Sequence, residues 1–163
     1  MSLPYEELLQ GTPLLRVPPG QRHEQICARL HQYVHASVAN LTSTALLSAR
    51  AAIRVAPDTI VRPDLALMAI PGNKLWLAAE IVSSEDHAPD TVVKKQIYEE
   101  LRLPRLWMID PRYDNVEVYH ASQYGLVLKC ILAGGEILSE KLLPEFQITI
   151  AELFRTDSDK KSP

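Results

Sequence analysis

The feature that most constrains this chain is the run Leu75-Trp76-Leu77-Ala78-Ala79-Glu80-Ile81-Val82. Near-continuous apolar sequence of this length reads as a strand covered on both faces. Glu80 sits inside it. A buried carboxylate is costly unless it is protonated, paired or bound to a metal, and no Lys or Arg lies within three residues of Glu80 along the strand. Its compensation must come from elsewhere in the fold. Pro71-Gly72-Asn73-Lys74 is a turn signal, and Leu65–Ile70 before it reads as a second strand. A hairpin folded about Gly72 sets Asp64 opposite Glu80 to within one residue, with Cβ atoms roughly 5 Å apart. Taken singly, Asp64 also reads as a turn residue after Pro63, and Glu80 as an edge carboxylate. Together they make a poor structural pair and a good pair of ligands for a hard divalent cation.

The rest of the chain supplies the frame. Ile26, Leu30, Tyr33, Val34 and Val38 recur at helical spacing and predict a helix from Gln21 to about Asn40. Ala51–Val55 reads as a strand, with a turn at Pro57-Asp58. Pro89-Asp90 opens a second helix to about Arg102. Leu106–Ile109, Val116–His120, Leu126–Leu132 and Glu136–Leu138 read as strands, and Ala151–Phe154 as a last helical turn. This order predicts an α/β (α+β) domain, a mixed sheet flanked by helices. With 163 residues there is room for one such domain, at 21–155. Residues 1–20 contain four prolines and read as an arm packing on the domain or on a partner, and 156–163 as a disordered tail.

On the second helix Asp90, Lys94 and Tyr98 form one row beside the core row Val93, Ile97 and Leu101. Lys94 is therefore expected at the border of the buried face, reaching toward the strand ends or pairing with Asp90. Lys95 is expected to point outward and pair with Glu99. Cys27, His31 and His35 also lie in a row, but its ends are about 12 Å apart, and a surface row is the expectation.

Composition restrains the functional reading. The net charge of −3 lacks the basic excess of proteins that grip long DNA by its phosphates. No apolar run reaches the ~20 residues of a membrane helix, and the first residues do not resemble a signal peptide. A cytoplasmic protein with Cys27 and Cys130 as reduced thiols is expected.

Arg62-Pro63-Asp64, Glu80-Ile81-Val82-Ser83-Ser84, Asp90-x3-Lys94-x3-Tyr98 and Leu103-Pro104-x2-Trp107-Met108-Ile109-Asp110-Pro111 occur in an order and spacing that resembles the PD-(D/E)XK nuclease superfamily, and within it the bacterial Uma-type endonucleases. The resemblance runs from about Tyr5 to Phe154. It implies a restriction-endonuclease-like fold and Mg²⁺ (or Mn²⁺) held by Asp64, Glu80 and the backbone carbonyl of Ile81. It also implies Asp64, Glu80 and Lys94 as the catalytic set. Most of the superfamily carries its lysine two residues after the glutamate, where this chain has Val82; the Uma-type pattern moves it to the next helix, here Lys94. His23, Glu24, Asp90 and Tyr98 are candidates for supporting positions around the site. The implied activity is metal-dependent phosphodiester hydrolysis, in DNA. Separately, the Pro-rich arm at residues 1–20 and the exposed edges of the meander strands predict a homodimer. The alternative is a weak or inactive domain of the same fold acting through protein contacts.

Overall fold

A computed structural model describes residues 3–83 and 87–156. The central sheet has six strands in the order β10-β9-β8-β7-β6-β3: β3 (Thr44–Leu46), β6 (Leu65–Ala69), β7 (Lys74–Ile81), β8 (Arg105–Asp110), β9 (Asn115–Ser122) and β10 (Gly125–Ala133). Only β7 and β8 run parallel. The crossover between them is helical, a π-helical turn at Pro89–Lys94 continuing into α2 (Lys95–Glu100).

Alternation along β7 explains why both faces are covered. Leu77, Ala79 and Ile81 face α1 (Gln21–Val38), where they meet Ile26, Leu30 and Val34. Ala78 and Val82 face the other way and pack with Ile97 and Tyr98 of the crossover helix. Beyond α1, β11 (Ile137–Glu140) and β12 (Leu143–Thr149) form a ribbon. Phe146 stacks on Trp107 with ring centroids 5.4 Å apart, and α3 (Ile150–Leu153) closes that side.

A second sheet, ordered β2-β1-β5-β4, comprises β1 (Tyr5–Leu9), β2 (Thr12–Arg16), β4 (Ile53–Ala56) and β5 (Thr59–Val61). Its Leu9 and Val61 join the core on the α2 side. The segment expected as an arm thus forms a hairpin whose β1 pairs with β5. The strand expected at Ala51–Val55 is shifted to Ile53–Ala56, and β3, β5 and β12 were not anticipated. The tail expected to be disordered lies, from residue 157 onward, outside the described residues. Cys27 is buried and Cys130 exposed, both as free thiols. No described helix is long and apolar enough to cross a membrane.

Candidate active site

The β6–β7 register pairs Leu65 with Ala79 and Ala66 with Ala78. Continued past the start of β6, it sets Asp64 against Glu80 and Pro63 against Ile81. Pro63 has no N–H, so it offers the Ile81 carbonyl no ladder donor. The Ile81 amide donates instead to Asp64 Oδ2, at 2.8 Å. Asp64 and Glu80 are both buried, at 3% and 2% exposure.

Each carboxylate is held from a different side. His23 Nε2, on the first turn of α1, lies 2.8 Å from Asp64 Oδ1. Arg50 Nη1 donates to the same oxygen at 3.1 Å, and its other arm pairs with Glu24 at 2.8 Å. The Asp64 carbonyl accepts from His31 Nε2 at 2.7 Å and from the Cys27 thiol at 3.6 Å. Cys27 and His31 are therefore not part of a surface row as expected. They sit under Asp64 because α1 packs on that end of the sheet, and only His35 of the three is exposed.

Glu80 is held from the crossover helix. Tyr98 Oη donates to Glu80 Oε2 at 2.5 Å, and Lys94 Nζ lies 2.6 Å from the same oxygen. Lys94 is not at a border: it has no solvent exposure, and its ammonium also lies 2.8 Å from Glu7 Oε2 on β1. Nor does it pair with Asp90. Arg16, from β2, takes Asp90 in a two-point bond at 3.0 and 2.9 Å and reaches Glu7 Oε1 at 2.7 Å. The π-helical geometry of Pro89–Lys94 and the hairpin packed beside it turn both side chains inward, away from the surface pair that α-helical spacing suggested. Lys95 does not pair with Glu99 either. Its ammonium lies over the Tyr119 ring, 4.5 Å from the centroid, while Glu99 accepts from the Leu126 amide.

The electrostatics follow from this packing. Burial pushes the Asp64 carboxyl upward, but the His23 contact, the Ile81 amide and Lys94 outweigh it and hold the group below the usual carboxylate range. For Glu80 burial prevails: with Glu7, Asp90 and Asp64 adding repulsion against the opposing pull of Lys94, the carboxyl is pushed up to about 8. Burial would discharge Lys94, yet Glu80, Glu7 and Asp90 hold it protonated well above the ordinary lysine range. Burial and the neighbouring Glu80 raise Tyr98, and burial raises the Cys27 thiol to about 12.

Five carboxylates (Glu7, Glu24, Asp64, Glu80, Asp90) thus meet three fixed cations (Arg16, Arg50, Lys94). The cluster is short of positive charge. The oxygens of Asp64 and Glu80 and the Ile81 carbonyl are hard ligands of the kind Mg²⁺ or Mn²⁺ takes, although both Asp64 oxygens and Glu80 Oε2 already have partners within the protein. Among the described residues no closed group of three or more His, Cys, Asp or Glu side chains is arranged around one point. An open set of one or two carboxylates is how proteins usually bind Mg²⁺, leaving positions for water and substrate phosphate. By donor chemistry and charge, the residues fit such an ion.

A cleft of about 400 Å³ lies beside this cluster. Its walls come from Tyr5, the Arg16–His23 segment entering α1, Val82-Ser83 after β7 and Pro111-Arg112 after β8. Arg16, Arg22, His23 and Arg112 line it, and no carboxylate does. Each of the four is paired with a carboxylate outside the lining: Arg16 with Glu7 and Asp90, Arg22 with Asp114, His23 with Asp64 and Arg112 with Asp110.

Sequence reasoning brought Asp64, Glu80, Lys94, His23, Glu24 and Tyr98 to one region, and the structure shows where each sits. It missed Glu7, Arg16 and Arg50. The available signal was the alternation Tyr5, Glu7, Leu9, which puts Glu7 on the inward face of a strand; the prolines around it hid the strand.

No curated protein sequence matches the chain. The structure is similar to the crystal structure of a putative nuclease belonging to DUF820 from Anabaena variabilis ATCC 29413, with a TM-score of 0.76 and 16% identity over 93% of this chain and 90% of that one. This likeness shows a shared restriction-endonuclease-like fold. The Uma2 family profile matches residues 3–151. The chain belongs to the Uma2 family, described as putative restriction endonucleases.

Proposed function

We propose that this chain is a divalent-metal-dependent endonuclease that hydrolyses phosphodiester bonds in DNA, acting as a homodimer. The observation that carries this reading is the placement of two buried opposed carboxylates and a buried lysine beside a cleft whose lining includes three arginines and a histidine and no carboxylate. A cation held by Asp64, Glu80 and the Ile81 carbonyl would supply Lewis-acid polarisation of the phosphate and a water of lowered pKa. The chain's own residues account for the rest. Arg22 and the remaining arm of Arg112, whose Nε and Nη2 are held by Asp110, offer guanidinium donors to phosphate oxygens in the cleft. His23 and Arg50 fix the Asp64 carboxylate, and Tyr98 fixes that of Glu80. Lys94, kept protonated by its carboxylates, places positive charge where negative charge grows in the transition state.

One observation favours the second reading, a catalytically weak or inactive domain. Lys94 is fully enclosed and already paired with two carboxylates, as a purely structural lysine would be. A cleavage assay separates the two. Single-stranded, duplex and branched DNA are incubated with Mg²⁺ or Mn²⁺, with an Asp64→Ala control. The expected result is cleavage that EDTA and Asp64→Ala abolish. Intact DNA under every condition, or equal cleavage by the variant, refutes the nuclease reading.

A further inference from the structure

A second cavity, of about 310 Å³, lies across the sheet end from the main cleft, lined by Thr91, Lys95, Met108, Tyr113, Glu117 and Tyr119 among others. Val82 and Arg112 line both cavities, so they form the ridge between them. We propose that this second cavity is a nucleobase pocket, and that the substrate is a nucleic acid with an unpaired strand crossing the Arg112 ridge. This rests on the nuclease reading given above.

Three observations converge. Tyr113 is 69% exposed, and the Arg112 guanidinium lies 5.2 Å from its ring centroid. An exposed guanidinium–aromatic pair at a cavity rim buries little of its own surface and offers a stacking platform with a cation for the adjoining phosphate. The Lys95 ammonium lies over the Tyr119 ring, 4.5 Å from its centroid, and lines the pocket, where it can donate to a ligand. The floor is apolar, with Met108 and Val82 buried, while Thr91, Glu117 (bonded by the Tyr119 hydroxyl) and Asp110 (bonded by Arg112) place polar atoms on the walls. An apolar floor, an aromatic rim and a few directional polar groups suit a flat heterocycle with hydrogen-bonding edges. At ~30 Å³ per water the cavity holds on the order of ten waters, enough for a base with room to spare. A base stacked and paired inside a duplex cannot enter it, whereas one splayed from a single strand can.

Binding to a fluorescein-labelled single-stranded oligonucleotide, with 2-aminopurine as an internal stacking reporter, is measured by anisotropy in EDTA against the same sequence as a blunt duplex. The wild type should prefer the single strand and quench the 2-aminopurine. Tyr113→Ala should weaken single-strand binding roughly 5- to 150-fold, the scale of losing one stacked base, and restore the fluorescence. Tyr113→Phe should retain both effects. Circular dichroism should show both variants folded, since Tyr113 is exposed. Unchanged affinity in Tyr113→Ala, or a duplex bound as tightly as the single strand, overturns the pocket while leaving the nuclease reading intact if the wild type cleaves DNA. A wild type that binds neither form and cleaves nothing overturns both.

Discussion

A lysine without solvent exposure survives only if its charge is matched, and Lys94 is matched twice. Removing it leaves Glu80 buried without its cation and Glu7 with Arg16 alone, a change that costs about 3–5 kcal/mol in comparable sites. Lys94→Ala is therefore expected to lower the melting temperature strongly. Its border placement, as read from the sequence, would instead make it nearly silent for stability. Lys94→Met restores the volume without the charge and should separate packing from pairing. Turnover should fall about 10²-fold or more in both. Lys95→Ala should shift stability by no more than about 1 kcal/mol, the scale of one exposed cation–π contact. Equal destabilisation by the two alanine variants would contradict the assignment of Lys94 as the buried one. Glu7 supplies a pH signature. Burial pushes its carboxyl up, but Lys94, the Arg62 amide and Arg16 pull it below the ordinary glutamate value. A depressed folded pKa contributes stability that is present above the unfolded pKa of about 4.3 and is lost as pH falls through the folded one. Urea melts from pH 6 down to pH 3 should show this loss, and Glu7→Gln should flatten it. An equal slope in both proteins would place the acid sensitivity elsewhere.

At the scale of elements, the paired strands β6 and β7 were legible because their evidence is local. A turn sequence, two apolar runs and one misplaced glutamate fix a register. The hairpin β1–β2 was not legible. Pro4 and Pro13 are poor strand residues in general, and the hairpin's only reward is tertiary: Glu7 for Lys94, and Arg16 for Asp90 across 74 residues of sequence. Three-residue strands such as β3 and β5 escape periodicity for a simpler reason, being shorter than the pattern that would reveal them. The Asp90 partner was misread because i, i+4 spacing describes an α-helix, whereas Pro89–Lys94 is wound more widely. The hairpin's role is testable through Arg16. Arg16→Ala should free the Asp90 carboxylate, whose other bond is to the Ser83 amide at 3.2 Å. Hydrogen exchange should then rise by more than tenfold across Thr91–Lys94, because the turn loses the side chain that ties it to β2. Protection that stays at the wild-type level would mean that core packing alone holds that turn.

For the whole molecule, the long exposed edge of the central sheet decides what assembles. β10 pairs only with β9, and along it Val127 and Leu128 are each 43% exposed and Ile131 51%. An unpaired edge with apolar side chains on both faces invites a second strand, and antiparallel pairing of β10 with its own copy satisfies the two-fold symmetry of most homodimers. The expected dimer is therefore built edge to edge along a strand that lines no part of the cleft, so that both sites stay open. Light scattering should return twice the chain mass at micromolar concentration, and Val127→Lys with Ile131→Lys should return the monomer without loss of secondary structure. The opposing feature is the register shift between Leu128 and Cys130, which leaves Lys129 out of the ladder. Bulges and lysines are how proteins protect an edge from pairing. A wild-type chain that runs as a monomer would show that the bulge at Lys129 outweighs the apolar invitation on either side of it.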